Sequence, residues 1–269
     1  AAIFIGSTSD SAELMINGEK FAIDELQKIN SQKFCAIYPD RGIEGGTTRK
    51  SMPEKRTIEY SGAPVDEVTV FIPVFSGTNC DYDTAKQFER AGAKVTTSVF
   101  CDLTAEDIFA SIDRMKGMID KCNIFVLSGG FSAGDEPDGS GKFIANVLNN
   151  KKITDSIHAL LDRGGLILGI CNGFQALVKS GLLPYGRLGQ VVKESPTLFR
   201  NDINRHISQI VTTRVATTNS PWLSSFELGE QHSIAVSHGE GKFVVSDEMA
   251  EELFRNGQVA FQYVDPDGE

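Results

Sequence analysis

The sequence predicts an α/β fold: a doubly wound, mostly parallel sheet with an antiparallel or mixed edge. Short apolar runs recur from residue 68, helical stretches lie between them, and the texture turns to alternating, turn-rich segments after residue 200. The runs are "VTVFIPVF" (68–75), "KVTTSVF" (94–100), "NIFVLSGG" (123–130) and "GLILGIC" (165–171). Each is short and rich in apolar or β-branched residues, as a buried strand requires. Between them lie "DYDTAKQFERAG" (81–92), "AEDIFASIDRMKGMIDK" (105–121) and "GKFIANVLNNKKITDSIHALLDRG" (141–164), which read as crossover helices. "HISQIVTTRVAT", "QHSIAVSHGEGKFVVS" and "GQVAFQYVDPDGE" then supply strands of the antiparallel or mixed edge.

The first 66 residues are of a different kind. "AIFIG" at the start reads as a strand already in progress. Residues 12–30 carry a turn signal at Asn17-Gly18 and then a helical pattern with Phe21, Ile23, Leu26 and Ile29 on one side. Residues 38–64 break all periodicity, and their Gly, Pro, Thr and mixed charge read as a linker.

Composition narrows the function classes. A formal charge of -10 weighs against a general electrostatic grip on nucleic acid or an anionic membrane. Five cysteines, at 35, 80, 101, 122 and 171, form no CxxC pair, so neither a disulfide framework nor a zinc site is expected. No metal is assigned, and the setting reads as reducing and cytoplasmic. No apolar run approaches the roughly 20 residues that span a bilayer.

Gly-Ile-Cys-Asn-Gly, residues 169–173, has the spacing of a nucleophile elbow with Cys171 at its apex, between a strand and a helix. Side chains at the two flanking positions would collide with neighbouring backbone, and glycine removes the collision. The helix that follows, stopped by Gly181 and Pro184, directs its positive end at the sulfur and is expected to favour a thiolate. Cys35, Cys101 and Cys122 read as small core residues, and Cys80 in "SGTNCDYD" as structural.

A thiolate attacking an acyl or amide carbon creates an oxyanion that needs fixed donors. "LSGGFSAGDE" (127–136) follows a strand whose carboxyl end is where ligand sites of open α/β sheets gather. Its Gly130 and Phe131 amides, with that of Asn172, are candidate donors; a phosphate-cradling loop, or a loop with no site, reads equally well from the residues. Of the histidines, His158 sits in a helical stretch, and His206 and His232 flank strands without an evident partner. His238 in "SHGEG" has Glu240 two residues on, which offers a base with an orienting carboxylate, a substrate contact or an interdomain contact.

"VFIPVFSGTNCDYDTAKQFERAGA", "LSGGFSAGDE", "GICNGFQALVKSGLLP", "SPTLFRNDINRHIS", "NSPWLSS", "VSHGEGKFV" and "GQVAFQYVDPDG" follow one another in the order of a known family. Over about residues 68–268 the chain resembles the class I glutamine amidotransferase domains of the large, single-chain phosphoribosylformylglycinamidine synthetases. The resemblance implies a flavodoxin-like fold in which Cys171 attacks the side-chain amide of glutamine. It makes Gly129, Gly130, Phe131, Asn172 and Gln175 the oxyanion and glutamine-binding surface. It divides the chain into the end of a preceding synthetase domain (1–37), a linker (38–66) and the amidotransferase domain (67–269).

The implied partners are glutamine and a synthetase domain of the same polypeptide, with neither nucleic acid nor membrane. No cofactor belongs to this domain; ATP and Mg act in the attached synthetase domain, where ammonia converts formylglycinamide ribonucleotide to its amidine. In the family the catalytic His-x-Glu pair follows "YVDPDG", separate from "SHGEG", so the resemblance places that pair beyond Glu269 and implies truncation at the C-terminus. The 269 residues alone are then expected to lack full glutaminase activity. Two other readings stand beside it: a cysteine hydrolase or peptidase of similar fold using Cys171, His238 and Glu240, and an inactive amidotransferase-like interaction module.

Overall fold

The structure, a computed structural model, describes residues 4–35, 64–132, 141–265 and 268. Most of the expected linker, residues 38–63, lies outside the described residues. The strand expected at the start is not found over its described part, where Phe4 and Ile5 are irregular and exposed. Instead β1 (Glu13–Ile16) and β2 (Glu19–Ala22) form an antiparallel hairpin, followed directly by α1 (Ile23–Cys35). Asn17 and Gly18 have φ of 52° and 87°, the left-handed pair that a two-residue hairpin turn requires. Phe21, expected on the helix, therefore lies on a strand opposite Leu14.

The parallel sheet comprises β3 (Thr69–Val74), β4 (Lys94–Val99), β5 (Ile124–Leu127) and β6 (Leu166–Gly169), in the order β4-β3-β5-β6. Helices α2 (Asp81–Arg90), α3 (Ala105–Ile119), α4 (Lys142–Leu148) and α5 (Lys151–Asp162) connect the strands. The predicted helix over 141–164 is thus two, because Asn150 leaves helical geometry and caps α5, its side-chain oxygen accepting from the Lys152 amide at 3.1 Å.

Alternation along the strands divides the core. Val70, Ile72 and Val126 face one side with Ala85 and Phe88 of α2. Phe71, Phe125 and Leu127 face the other with Ile112, Ile144 and Ile157 of the remaining helices. Burial on both sides explains the near-continuous apolar runs of β3 and β5, whereas β4, expected to be buried, lies at the sheet edge with most of its residues exposed, which is why "KVTTSV" carries polar side chains.

Beyond the elbow come α6 (Asn172–Lys179) and α7 (Leu182–Tyr185), then β7 (Thr197–Phe199), β8 (Ile207–Val215), β9 (Gln231–His238), β10 (Lys242–Val244), α8 (Asp247–Arg255) and β11 (Phe261–Val264). The antiparallel strands form sheets of their own, β11-β8-β9 and β10-β7, beside the parallel sheet. Trp222 fastens this part to the parallel sheet: its indole N–H donates to the Ile167 carbonyl of β6 at 3.1 Å, and its ring meets Phe88 of α2 edge-on. Among the described residues no helix is long and apolar enough to cross a membrane.

Candidate active site

The chain order β3, β4, β5 against the spatial order β4-β3-β5 makes the connections diverge between β3 and β5. A crevice opens at the carboxyl ends of strands at such a point. Cys171 stands there, two residues past β6, at the cap of α6. Its φ of 52° and ψ of -109° are rare for a side-chain-bearing residue, and such strain costs of order 1–3 kcal/mol.

Close packing makes the two flanking glycines necessary. A Cβ at Gly173 would lie 2.0 Å from the Leu127 carbonyl oxygen, and one at Gly169 would lie 2.8 Å from the Gly173 carbonyl carbon. The first turn of α6 therefore rests backbone-on-backbone against β5 and β6, lifting an exposed, free Cys171 out of the layer.

The loops after β3 and β5 meet beside this cysteine. Phe131 N–H donates to the Gly77 carbonyl at 2.8 Å, Asn79 N–H to the Gly129 carbonyl at 3.3 Å, and Thr78 and Gly130 form an isolated bridge. Gly130, at φ 142°, has no room for a side chain because a Cβ would lie 2.5 Å from the Gly77 oxygen.

Gly129 packs against Cys171 from the neighbouring loop: a Cβ on it would lie 3.4 Å from the Cys171 Cβ. No described residue accepts from the Gly130 N–H, whereas the Phe131 amide is committed to Gly77, with its ring exposed. Of the backbone donors that the sequence offers an oxyanion, the Phe131 N–H is thus occupied in this arrangement.

Asn172 and Gln175, both buried, extend the site away from the crevice. The Asn172 side-chain oxygen accepts from the Ser132 amide at 3.4 Å, and its Nδ2 donates to Gln175 Oε1 at 3.3 Å. Gln175 Nε2 donates in turn to the Glu240 backbone carbonyl at 2.8 Å, so the elbow helix reaches the "SHGEG" loop through an unbroken chain of amides.

His238 does not join Cys171. Its Nδ1 pairs with Asn201 Oδ1 at 3.0 Å, and no hydrogen bond runs from the ring to the sulfur or to the Glu240 carboxylate. Burial, and then the neighbouring His206, hold the imidazole below its ordinary pKa. His206 and His158, given no partner by the sequence, have one each: the Ser237 hydroxyl at 2.9 Å and the Leu188 amide at 3.1 Å.

The cysteines divide unevenly. Cys122 is buried, and desolvation pushes its thiol up to about 11. Cys101 is exposed, contrary to expectation, because it follows the end of β4 and only its backbone is held, by the Ser111 hydroxyl.

Cys80 is the residue whose position the sequence did not convey. It is exposed, and its sulfur lies 3.5 Å from where a Gly129 Cβ would stand, so Cys80 and Cys171 both lie beside Gly129. Desolvation, then Cys171, Asp83 and Asp81, raise its thiol pKa. Its place in the loop between β3 and α2, at the same carboxyl edge as the elbow, was the available signal. A groove of about 500 Å³ opens elsewhere, between Asn201, Ile207, Ile210, His238 and Tyr263, and Cys171 does not line it.

A glycine-braced cysteine at the carboxyl edge of a parallel sheet has the geometry of a strand-to-helix elbow. Residues 67–269 match the CobB/CobQ-like glutamine amidotransferase domain family, and the chain belongs to it. It is 34% identical over 198 residues to the phosphoribosylformylglycinamidine synthase subunit PurQ of Roseobacter denitrificans, covering 73% of this chain and 76% of the relative. The subunit of the same name from Koribacter versatilis is 29% identical over 198 residues, covering 73% of this chain and 72% of the relative. A solved structure of PurLQS from Thermotoga maritima superposes with a TM-score of 0.53 at 27% identity, over 74% of this chain and 76% of that one. These relatives bear the name of a separate subunit, and none of them shows the single-chain arrangement that the sequence resemblance implied.

Proposed function

We propose that this chain is the glutamine-hydrolysing part of a phosphoribosylformylglycinamidine synthase. The observation that carries the reading is Cys171 at φ 52° on a β6–α6 elbow, with Gly129 against its Cβ and the Gly130 N–H unclaimed. Family membership and the names of the relatives support it.

The Cys171 thiolate attacks the δ-carbon of glutamine, and the oxyanion takes donors from the glycine loop. The C–N bond breaks, and ammonia leaves with a proton from a general acid. Water, deprotonated by the same group, attacks the γ-glutamyl thioester, releasing glutamate and restoring the thiol. Gln175 and Asn172 orient the substrate. The proton-handling group is a His-x-Glu pair of the family's kind, distinct from "SHGEG"; the pairing of His238 with Asn201 disfavours the hydrolase reading built on His238 and Glu240.

The ammonia passes to a synthetase domain of the same polypeptide, whose end is residues 1–37 and whose connection is residues 38–66. There ATP with Mg activates formylglycinamide ribonucleotide for conversion to the amidine, in the cytoplasm.

Labelling with a glutamine-like diazo-ketone tests the assignment. Cys171 is expected to be the modified residue and free glutamine to protect it, with glutamate release in the full-length enzyme abolished by Cys171→Ala. Labelling that glutamine does not slow overturns the substrate, and full glutamate release by Cys171→Ala overturns the nucleophile.

A further inference from the structure

We infer that Asn201, which lies outside the elbow and the glycine loop, is a positioning residue that sets the glutamine-binding geometry through the loop 238–241. The inference rests on the glutaminase reading above. The loop has almost no regular structure of its own: β9 ends at His238 and β10 begins at Lys242. Most of its described hydrogen bonds come from one buried residue, Asn201.

Asn201 Oδ1 pairs with His238 Nδ1 at 3.0 Å and accepts from the Gly241 N–H at 3.2 Å. Its Nδ2 donates to the His238 carbonyl at 2.9 Å and to the Arg205 carbonyl at 3.1 Å. Its own backbone N–H donates to the Gly239 carbonyl at 2.9 Å. Three of the four loop residues are thereby gripped, and the fourth, Glu240, turns its carbonyl to Gln175 Nε2.

That last contact gives the grip a consequence at the site. An amide side chain has two ends and a rotatable bond between them, and its orientation is set by which acceptor its NH₂ finds. With Nε2 held by Glu240, Gln175 presents Oε1 to Asn172, and Asn172 presents Oδ1 to the Ser132 amide of the glycine loop. Asn201 therefore fixes, through three successive amides, the side chains that flank the nucleophile. A side chain of different shape cannot reproduce this, because the site requires an acceptor and a two-proton donor on one planar group.

Alkylation of Cys171 in the full-length enzyme supplies the test, with iodoacetamide as the probe and glutamine as the protecting ligand. Asn201→Ala is expected to leave the rate without glutamine unchanged while raising the half-protecting glutamine concentration about tenfold, the consequence of losing a buried hydrogen-bonded brace. Asn201→Asp keeps the acceptor but turns a carboxylate oxygen onto the His238 and Arg205 carbonyls, and is expected to shift it by at least as much. A bare loss of folding would change the unprotected rate as well, which separates positioning from structural support.

An unmoved half-protecting concentration in either folded variant overturns the inference. Should Asn201→Ala fail to fold, Asn201→Asp decides alone. A wild-type enzyme that glutamine does not protect overturns the glutaminase reading itself and the inference with it, so the two failures are told apart by the wild-type control.

Discussion

The elbow at 169–173 and the loop at 238–241 meet across Gln175, yet they are held by opposite means. The elbow is built by exclusion: Gly169 and Gly173 allow α6 to lie on the ends of β5 and β6 with no space for a single added carbon. The loop is built by attachment, its peptide groups hydrogen-bonded by the side chain and backbone of Asn201. Close packing punishes any added atom through rigid backbone, whereas a hydrogen-bonded clamp fails in proportion to the bonds removed. The candidate site combines a stiff platform under Cys171 with a loop that one residue can loosen.

Adding a methyl group tests the stiff half. Gly173→Ala puts a Cβ 2.0 Å from the Leu127 carbonyl oxygen, and both partners are backbone, so relief requires α6 to move off the sheet. The expected loss is about 3 kcal/mol or more, read as a lower urea midpoint of unfolding, together with loss of Cys171 labelling by a glutamine analogue. A variant of wild-type stability would show that the elbow is not packed by exclusion.

Removing the clamp tests the other half and is expected to cost less. Asn201→Ala deletes its part-buried side-chain hydrogen bonds to His238, Gly241 and Arg205, for a loss of about 2 kcal/mol by the same urea measurement. If it destabilised as much as Gly173→Ala, the contrast between the two halves would vanish.

The same contrast explains what the sequence disclosed. The elbow was legible because its logic is local: Gly, Cys and Gly at 169, 171 and 173 are close in sequence and in space, and the apolar runs before them mark strands buried on both faces. The clamp was not, since Asn201 grips a loop 37 residues later and nothing in "LFRND" or "SHGEG" states that they touch. His238 drew attention through Glu240 two residues on, but its ring is held by Asn201. Long-range pairing also separated the antiparallel strands into their own sheets, and Asn150 divided the helix over 141–164 by a cap visible only once Lys152 is seen to donate to it. Helix α8 had a readable start, Ser246 before two acidic residues, its side chain accepting from the Met249 amide.

Acid should act on the clamped side. His238 has a folded pKa below its ordinary 6.5, so the unfolded chain takes up a proton that the folded chain refuses. The stabilising contribution is full above that ordinary value and is lost as pH falls through the lowered one. The fall in urea midpoint between pH 7.5 and pH 5.5 is expected to be smaller in His238→Gln than in the wild type, with His206 the charged neighbour when protonated. Equal falls in the two proteins would remove His238 from the pH response.

The smallest effect concerns Cys80, the second thiol beside Gly129. Its sulfur donates to Asn79 Oδ1 at 3.0 Å and remains exposed, so Cys80→Ser is expected to change stability by no more than about 0.5 kcal/mol. Its reactivity carries more information than its stability. Desolvation against the elbow, then Cys171, Asp83 and Asp81, raise its pKa, so less of it is thiolate at pH 8 than of free cysteine. Iodoacetamide should therefore modify Cys80 more slowly than free cysteine at pH 8, the gap closing towards pH 10, while Cys122, buried and at about 11, stays unmodified until the chain unfolds. Mass mapping of the alkylated peptides reads both thiols in one experiment. Cys80 reacting as fast as free cysteine at pH 8 would place its sulfur in open solvent, away from Gly129, and the elbow would then lose the neighbour that the packing assigns to it.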